Sequence, residues 1–284
     1  MNGKRDSGEK DMDLFQVIRG RRSVRSFDGR VLDKADERAI MDYAAKQDNP
    51  YGIKIEWRLL DAKKDGLASP VIVGTDTFIA GKMKRVPHAE EAFGYEFEKI
   101  VLFAQSLGVG TTWIAGTMNR AAFEKAMDLE SDEVLPCASP LGYPAKKMSL
   151  RETMMRKGIR ADSRFDFSDL FFDCSFERPL TADGAGKLSG MLEAVRLAPS
   201  AVNKQPWRVV VCPGTVHFYE KHGRGYVSDD GWDIQKIDMG IALCHFMIAA
   251  EVCGFEVSLE IKDPGIHSGE DTTYIASCTY REKT

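Results

Sequence analysis

The sequence of 284 residues lacks the spacing patterns that hold metal ions or build disulfide frameworks. Its six cysteines occur singly, with no Cys-x-x-Cys pair, and its five histidines include no His-x-x-x-His pair. Scattered thiols are typical of buried free cysteines in a reducing compartment. We therefore expect a cytoplasmic protein without a metal site of the usual cysteine and histidine spacing.

Long hydrophobic runs are also missing. The longest apolar stretch, around residues 241–252, is too short and too interrupted to span a bilayer. Residues 1–13 are polar and charged, which is not typical of a signal peptide, and we expect residues 1–12 to form a flexible tail. A net charge of −4, with both signs scattered along the chain, argues against a general nucleic-acid or membrane-surface role. No Gly-x-Gly-x-x-Gly motif is present, so we expect no Rossmann-type nicotinamide site.

What the sequence does contain is an alternation of helical and strand patterns, typical of a protein with both α and β structure. Apolar spacing predicts helices that begin at Asp13 and at Asp33, and a long buried helix over 89–106 that ends at Gly108. A shorter helix is predicted over 121–127. The predicted strands of this first part are 55–60, 70–73 and 138–143.

This pattern recurs in the second part of the chain. A helix, a turn and a Trp-Arg strand occur around Trp57 and again around Trp207. A helix that ends in an apolar-Gly-apolar step occurs at Gly108 and again at Gly254. Two recurrences in the same order favour an ancient duplication, although helix-turn-strand units are common in any chain of this class.

A basic segment follows the first helix, where Arg21, Arg22 and Arg25 flank the hydroxyl of Ser23. Guanidinium groups form bidentate, charge-assisted hydrogen bonds, so this density of arginine suits a phosphate monoester. A solvated basic turn would have the same composition. The segment alone leaves both interpretations open.

A second distinctive segment is Ala-Pro-Ser-Ala-Val-Asn-Lys-Gln-Pro-Trp at residues 198–207. Pro199 predicts the end of a helix, and the small residues that follow allow the backbone to approach a flat ligand closely. The amides of Asn203 and Gln205 can both donate to and accept from a heteroaromatic edge. We expect Trp207 to begin a strand and to lie in the core.

Together, Arg-Arg-Ser-x-Arg-x-Phe at 21–27 and Ala-Pro-Ser-x-x-Asn-x-Gln-Pro-Trp at 198–207 resemble the two signature segments of the nitroreductase family of FMN-dependent oxidoreductases. Residues 107–117 are similar to the family loop that passes over the flavin, and residues 139–147 to its penultimate strand and basic exit. The resemblance extends over nearly all of the chain past residue 13. It implies an α+β fold of two related halves, each a small mixed sheet flanked by helices, related by a pseudo-two-fold axis.

One departure from the family is large. Ordinary members carry both signatures in the first third of one subunit and form two flavin sites in a homodimer. Here the first signature lies in the first half and the second signature in the second half, so each half keeps what the other lost. We therefore expect halves at 13–173 and 174–284, one FMN site per chain, and a monomer that mimics a dimer. The long helices 89–107 and 238–253 should pack together at the pseudo-two-fold axis.

The resemblance also implies which residues contact the cofactor. The expected cofactor-binding residues are Arg21, Arg22, Ser23, Arg25, Ala115, Gly116, Thr117, Lys147, Arg151, Pro199, Ser200, Ala201, Asn203 and Gln205. Those of the first signature would meet the phosphate, the ribityl chain and the pyrimidine edge, with Arg25 near the N1–C2=O edge. A backbone N–H of residues 115–117 would bond the flavin N5. For Lys147 and Arg151, within the basic stretch 146–164, a solvated surface charge is an equal alternative.

The implied activity is hydride transfer from NAD(P)H to FMN and then to a nitroaromatic, a quinone or a related small-molecule acceptor. No catalytic side chain is expected, since the flavin carries the chemistry. Two other functions stay open. One is a different flavin reaction on the same scaffold, such as dehalogenation or flavin fragmentation, and the other is flavin binding without efficient turnover.

Overall fold

The structure, a computed structural model, describes residues 14–227 and 231–283. The tail expected at residues 1–12 lies outside the described residues. The helices are α1 (Leu14–Gly20), α2 (Lys34–Ala44), α3 (Ala62–Asp65), α4 (Ala89–Ser106), α5 (Arg120–Ala126), α6 (Leu150–Gly158), α7 (Phe167–Leu170), α8 (Ser189–Leu197) and α9 (Ile234–Val252). The strands are β1 (Glu56–Asp61), β2 (Thr77–Lys84), β3 (Glu133–Val134), β4 (Ala138–Leu141), β5 (Phe171–Asp173), β6 (Trp207–Cys212), β7 (Thr215–Lys221), β8 (Phe255–Glu260) and β9 (Thr272–Glu282).

The first sheet is antiparallel and packs against α4. Strand β2 pairs with β1 along one side and with β4 and β3 along the other. Trp57 of β1 lies opposite Gly81, where a Cβ atom would come within 2.5 Å of the indole ring. The same indole stacks on Phe97 of α4, with ring centroids 4.8 Å apart, and its Nε1 donates to Glu96 at 2.6 Å. The Trp-Arg strand therefore anchors the sheet on the long helix.

The second sheet has the strand order β5-β6-β7-β9-β8. Its neighbouring strands are antiparallel except for β5 and β6, which are parallel. Trp207 begins β6 and is fully buried, as the sequence predicts. Strand β5 ends the residues 13–173 expected as the first half, yet it joins this second sheet. The chain therefore crosses between the two sheets before residue 174.

The two long helices, α4 and α9, pack against each other along the centre of the molecule. Most residues of α4 are buried, as in a helix enclosed by its neighbours. The backbones touch at two glycines, because a Cβ at Gly94 would lie 2.0 Å from the carbonyl oxygen of Ile237 and one at Gly240 would lie 2.0 Å from that of Glu91. The expected pairing of the long helices is confirmed.

The prediction of a strand over residues 70–73 is wrong. These residues form a turn that ends in an isolated bridge to Ser26, since a proline begins the segment and Gly74 follows it with a φ of +87°. The strand forms instead at β2, whose apolar pattern is interrupted by a lysine. Lys82 is buried there, and its ammonium pairs with Glu133 at 2.8 Å and donates to the Asp128 carbonyl at 3.1 Å. That pairing is tertiary, so the local pattern could not reveal the strand.

Two further boundaries follow from helix caps. Helix α9 begins at Ile234 rather than at 238, because the Asp233 side chain accepts a hydrogen bond from the Gln235 backbone N–H. Helix α6 forms within the basic stretch 146–164, where Ser149 accepts from the Glu152 N–H. No helix of the described residues is long and apolar enough to cross a membrane. The predicted α+β class, with two sheets flanked by helices, is confirmed.

Candidate functional site

A cavity of about 480 Å³ lies where segments from the two parts of the chain meet. Its volume falls in the range of small-molecule sites, roughly 300–1,000 Å³. The walls come from the segment after α1, residues 112–117, α6 with the loop after it, residues 199–203, and the first turns of α9. We call it the central cavity. Its lining is mostly apolar, and its charged members are Arg21, Arg25, Arg164 and Asp238.

Most of the residues predicted from the sequence line the central cavity. They are Arg21, Ser23, Arg25, Ala115, Gly116, Thr117, Pro199, Ser200, Ala201 and Asn203. Four predicted residues lie outside the lining. Arg22, Lys147 and Arg151 are exposed, and Gln205 is buried behind the turn.

The arginine segment is extended, and this conformation sorts its side chains. Successive residues of an extended chain point to opposite sides, so Arg21, Ser23 and Arg25 face the cavity while Arg22 faces solvent. Val24 points inward on the far side, and its backbone N–H donates to the Thr111 carbonyl at 2.8 Å. The basic segment is thus fixed to the loop that forms the neighbouring wall.

The guanidinium groups of the cavity carry unused donors. The Nε atoms of Arg21 and Arg164 and Nη1 of Arg25 are buried without a hydrogen-bond partner among the described residues. Burial lowers the pKa of each of these arginines, and the attraction of Glu98 for Arg21 opposes that shift only in part. Buried donors without partners are costly. The arrangement therefore favours an anion whose several oxygen atoms supply the missing acceptors.

The turn at 199–205 holds a bent backbone against the cavity. Val202, Asn203 and Gln205 have φ values of +43°, +59° and +50°, a region that non-glycine residues rarely adopt. The Ser200 hydroxyl accepts from the Gln205 N–H at 2.8 Å, and both carboxylate oxygens of Asp238 accept from the Ala201 N–H, at 3.0 and 3.1 Å. Strain of this kind persists only where surrounding contacts enforce it, and it is frequent at functional sites.

Residues 13–250, most of the chain, match a family described as "putative TM nitroreductase". The chain belongs to this family of nitroreductases. The resemblance seen in the sequence is thereby confirmed. No curated protein matches the chain.

Solved structures similar to this chain include one described as a "putative nitroreductase" from Thermotoga maritima. That protein is 21% identical, with 98% of this chain and 99% of that chain covered, at a TM-score of 0.62. A nitroreductase family protein from Clostridium novyi NT is 20% identical over 48% of this chain and 87% of that chain, at a TM-score of 0.41. An FMN-dependent nitroreductase from Clostridium difficile R20291 is 17% identical over 50% of this chain and 95% of that chain, at a TM-score of 0.40. The first likeness shows a shared fold along the whole chain.

One charged residue of the cavity, Arg164, was not predicted from the sequence. Its Nη2 donates to the Leu197 carbonyl at 3.2 Å, and its Nη1 lies 3.4 Å from the Asn203 Oδ1. The signal was the basic stretch 146–164, from which the resemblance selected Lys147 and Arg151. Arg151 instead donates to a backbone carbonyl in the turn at 70–73, at 2.5 Å. Which cation of a basic stretch faces inward depends on how the loop after α6 folds back onto the turn at 199–205.

The loop 112–117 connects the central cavity to the core of the molecule. Trp113 donates its Nε1–H to Glu98 of α4 at 3.1 Å, and Thr112 donates its backbone N–H to the Ser139 hydroxyl at 3.1 Å. The buried Thr112 hydroxyl has no partner among the described residues. Gly116, at the open end of the loop, has no atom within 4 Å of the position of a Cβ. A flat ligand could therefore lie against this backbone from the solvent side.

Proposed function

We propose that the central cavity binds one FMN per chain, and that the protein passes electrons from NAD(P)H to a small acceptor such as a nitroaromatic or a quinone. The single observation that carries this proposal is the set of buried, unpaired guanidinium donors in a mostly apolar cavity. Membership of the nitroreductase family supports it. A flavin mononucleotide combines the flat apolar ring and the multiply charged phosphate that such a cavity suits.

The residues of the cavity divide the proposed contacts between them. Arg21 and Arg25, with Ser23 between them, would hold the phosphate, the ribityl chain and the pyrimidine edge. Arg164 would add a donor that the sequence did not indicate. The backbone of residues 115–117 would lie beside the ring, and Ser200 and Asn203, within the turn at 199–205, would contact it from the second half of the chain.

The chain's own groups would bind and position the cofactor and control access to it, and they would not take part in the electron transfer themselves. When bound, FMN supplies hydride acceptance at its N5 and delivery to the acceptor. The guanidinium groups favour an anionic ligand electrostatically, with Glu98 attracting Arg21 and Glu152 attracting Arg25. Residues 199–203 form the wall of the cavity that comes from the second half of the chain. The exposed Gly116 leaves the other side open to a nicotinamide or an acceptor.

We further propose that residues 13–173 and 174–284 are related halves that form one site and act as a monomer. The two sheets share a central arrangement, since β1 and β2 pair antiparallel as β6 and β7 do, and a long helix follows each pair. The arginine segment comes from the first half, whereas the turn at 199–205 comes from the second. In the cavity described here, each of these two segments occurs once.

The test is a titration of the flavin-free protein with FMN, followed by flavin absorbance and fluorescence, with the oligomeric state measured by sedimentation. We expect saturation at one FMN per chain in a monomer, and oxidation of NADH or NADPH that depends on an added quinone. Saturation at two per chain would contradict the single site. Absence of binding in a folded sample would overturn the proposed cofactor. Binding without turnover would favour the interpretation as a flavin-binding protein.

A further inference from the structure

A second polar cluster lies outside the lining of the central cavity, where β7 ends and α9 begins. Glu220 is the second-to-last residue of β7, His222 directly follows the strand, and Asp233 is the N-cap of α9. The Nδ1 atom of His222 lies 3.0 Å from the Glu220 Oε1 and 4.0 Å from the Asp233 Oδ2. One potential ligand atom from each residue falls within 4.8 Å of the others. We call these three residues the β7–α9 cluster.

Glu220 is the member of the cluster that has no partner outside it. Its side chain is fully buried, at 0% exposure, and its close contacts, with His222 and Asp233, lie within the cluster. Outside the cluster, neither carboxylate oxygen has a hydrogen-bond partner among the described residues. A buried carboxylate is tolerated when it is paired or coordinates a metal. Lys236 attracts Glu220 from a distance, but no ion pair between the two is present in the described part of the chain.

Neighbouring residues add further carboxyl groups to this region. Glu91 of α4 also has a buried carboxylate oxygen, Oε2, without a hydrogen-bond partner in the described structure, and Asp238 of α9 is buried nearby. Both act electrostatically on Glu220, as Asp233 does. Carboxyl groups crowded together away from water repel one another when they ionise, so each favours a bound proton or a bound cation. A bound cation would offset this repulsion.

His222 has the geometry of a metal ligand. Its Nε2 lies 2.7 Å from the hydroxyl of Thr273, so a proton on Nε2 can be donated to that oxygen. This leaves the Nδ1 lone pair directed at the space beside Glu220. Metal-binding histidines usually donate their other ring N–H to such an oxygen, which fixes the tautomer and the ring. The His222 side chain is 33% exposed, which gives an ion a route from solvent.

Asp233 can serve the helix and the cluster at once. Its Oδ1 accepts the Gln235 backbone N–H at 2.9 Å and caps α9, while its Oδ2 faces His222. The capping bond holds the carboxylate in place without using the second oxygen. The cluster therefore presents one oxygen from each carboxylate and one imidazole nitrogen.

We propose that Glu220, His222 and Asp233 bind one divalent transition-metal ion, with zinc as the best-matched species. Ligands at the usual zinc bond lengths of about 2.0–2.1 Å stand roughly 3.3 Å apart in a tetrahedron, and the separations of 3.0 and 4.0 Å bracket that value. Two carboxylates and a neutral imidazole balance the charge of a divalent ion. Mixed imidazole and carboxylate donors suit zinc better than the oxygen-only sites of magnesium or calcium. Three protein ligands leave a fourth position for water.

The bound ion would fasten the end of β7 to the first turn of α9. That turn brings Ile234, Ile237 and Asp238 to the central cavity, so the ion would stabilise one wall of the cavity without touching a ligand there. Cysteine and histidine spacing in the sequence predicted no metal site. That spacing rule does not detect the cluster, because two of its ligands are carboxylates. In addition, Asp233 comes close to Glu220 and His222 only in the folded chain.

Isothermal titration of the full chain with zinc chloride, after treatment with a chelator, tests the proposal. We expect one zinc per chain, with a dissociation constant in the micromolar range or below. A thermal midpoint higher by about 5 °C at saturating zinc is expected, because an ion that binds only the folded state stabilises it. No saturable binding by the wild-type chain would overturn the proposal.

Variants locate the ion. Glu220→Gln and His222→Gln should each weaken zinc binding at least tenfold and abolish the thermal shift, whereas the control His267→Gln, which alters an exposed histidine elsewhere, should bind as the wild type does. Equal loss in the control, or unchanged binding in both cluster variants, would refute the assignment. If Glu220→Gln does not fold, the partly exposed His222 decides the question. Zinc binding should also persist in Arg21→Gln, so failure of the proposed flavin site would leave this test unaffected.

Discussion

Gly94 of α4 and Gly240 of α9 stand in a reciprocal relationship, since each lies against the carbonyl oxygen of the residue three positions before the other. Gly94 approaches Ile237, and Gly240 approaches Glu91. A Cβ added at either glycine would lie 2.0 Å from the carbonyl oxygen of the residue it approaches. A two-fold axis between equivalent helices produces this kind of reciprocity. The contact supports the duplication inferred from the repeated Trp-Arg strands, and it is independent of that repeat.

We expect Gly94→Ala and Gly240→Ala each to lower the free energy of unfolding by about 2–3 kcal/mol, because the added methyl group forces two packed backbones apart. Urea unfolding followed by circular dichroism measures the change. Gly158→Ala is the control, since Gly158 ends α6 with no atom within 4 Å of a Cβ and no positive φ. A loss in the control as large as in the two helix variants would contradict the close approach.

The cavity arginines should determine flavin affinity. Removal of a charged hydrogen bond costs about 1.5–3 kcal/mol, so Arg21→Gln and Arg25→Gln should weaken FMN binding roughly 10- to 100-fold. Arg164→Gln should fall in the same range if its unpaired Nε also meets the ligand. Arg22→Gln is the matched control, because this neighbouring arginine is exposed and outside the cavity lining. Fluorescence titration at one fixed salt concentration compares them, and an equal loss in Arg22→Gln would reduce the segment to a general basic surface.

Glu98 is expected to be a major stabilising residue of the interior. Its carboxylate accepts from the Trp113 Nε1–H and lies 3.0 Å from the Nε2 of His245, and both Glu98 and His245 are fully buried. Glu98→Ala would leave two buried polar groups without partners and should cost about 3–5 kcal/mol. Glu98→Gln should cost less, since its carbonyl can still accept one of the two bonds. The order of the denaturant midpoints checks this, and equal midpoints for the two variants would argue against the hydrogen bonds as the cause.

Asp238 should make the stability depend on pH. Burial raises the pKa of its carboxyl well above the usual value, and the nearby charges of Glu220 and Asp233 act in the same direction. The folded state then holds a proton more tightly than the unfolded state. The free energy of unfolding should therefore fall as pH rises from about 4 through the folded pKa.

Asp238→Asn removes this titration and keeps a carbonyl oxygen for the Ala201 N–H. With a chelator present, its stability relative to the wild type should improve from pH 5 to pH 8. Asp42→Asn, on the exposed face of α2, is the control and should follow the wild type throughout. Thermal midpoints measured across this range decide the matter. A constant difference between Asp238→Asn and the wild type would show that the carboxyl does not titrate there.

Local pattern was sufficient for the elements whose own residues specify their structure. Helix α4 follows from an apolar run that ends at a glycine, and Gly108 adopts the expected positive φ of +76°. Strands β1 and β6 follow from their Trp-Arg-apolar sequences. The arginine segment and the turn at 199–205 were recognisable because each keeps its residues within a few positions of one another. The extended segment then places Arg21 and Arg25 on the same side.

Only the tertiary structure decided which charges face inward and which are paired. Lys82 lies within β2 because Glu133 neutralises it, and no local pattern contains that partner. Arg164 enters the central cavity, while Lys147 stays in solvent, through the path of the loop after α6. The β7–α9 cluster joins a strand end to a helix cap across a loop. The cost of burying a charge depends on the groups around it, and those groups come from distant parts of the chain.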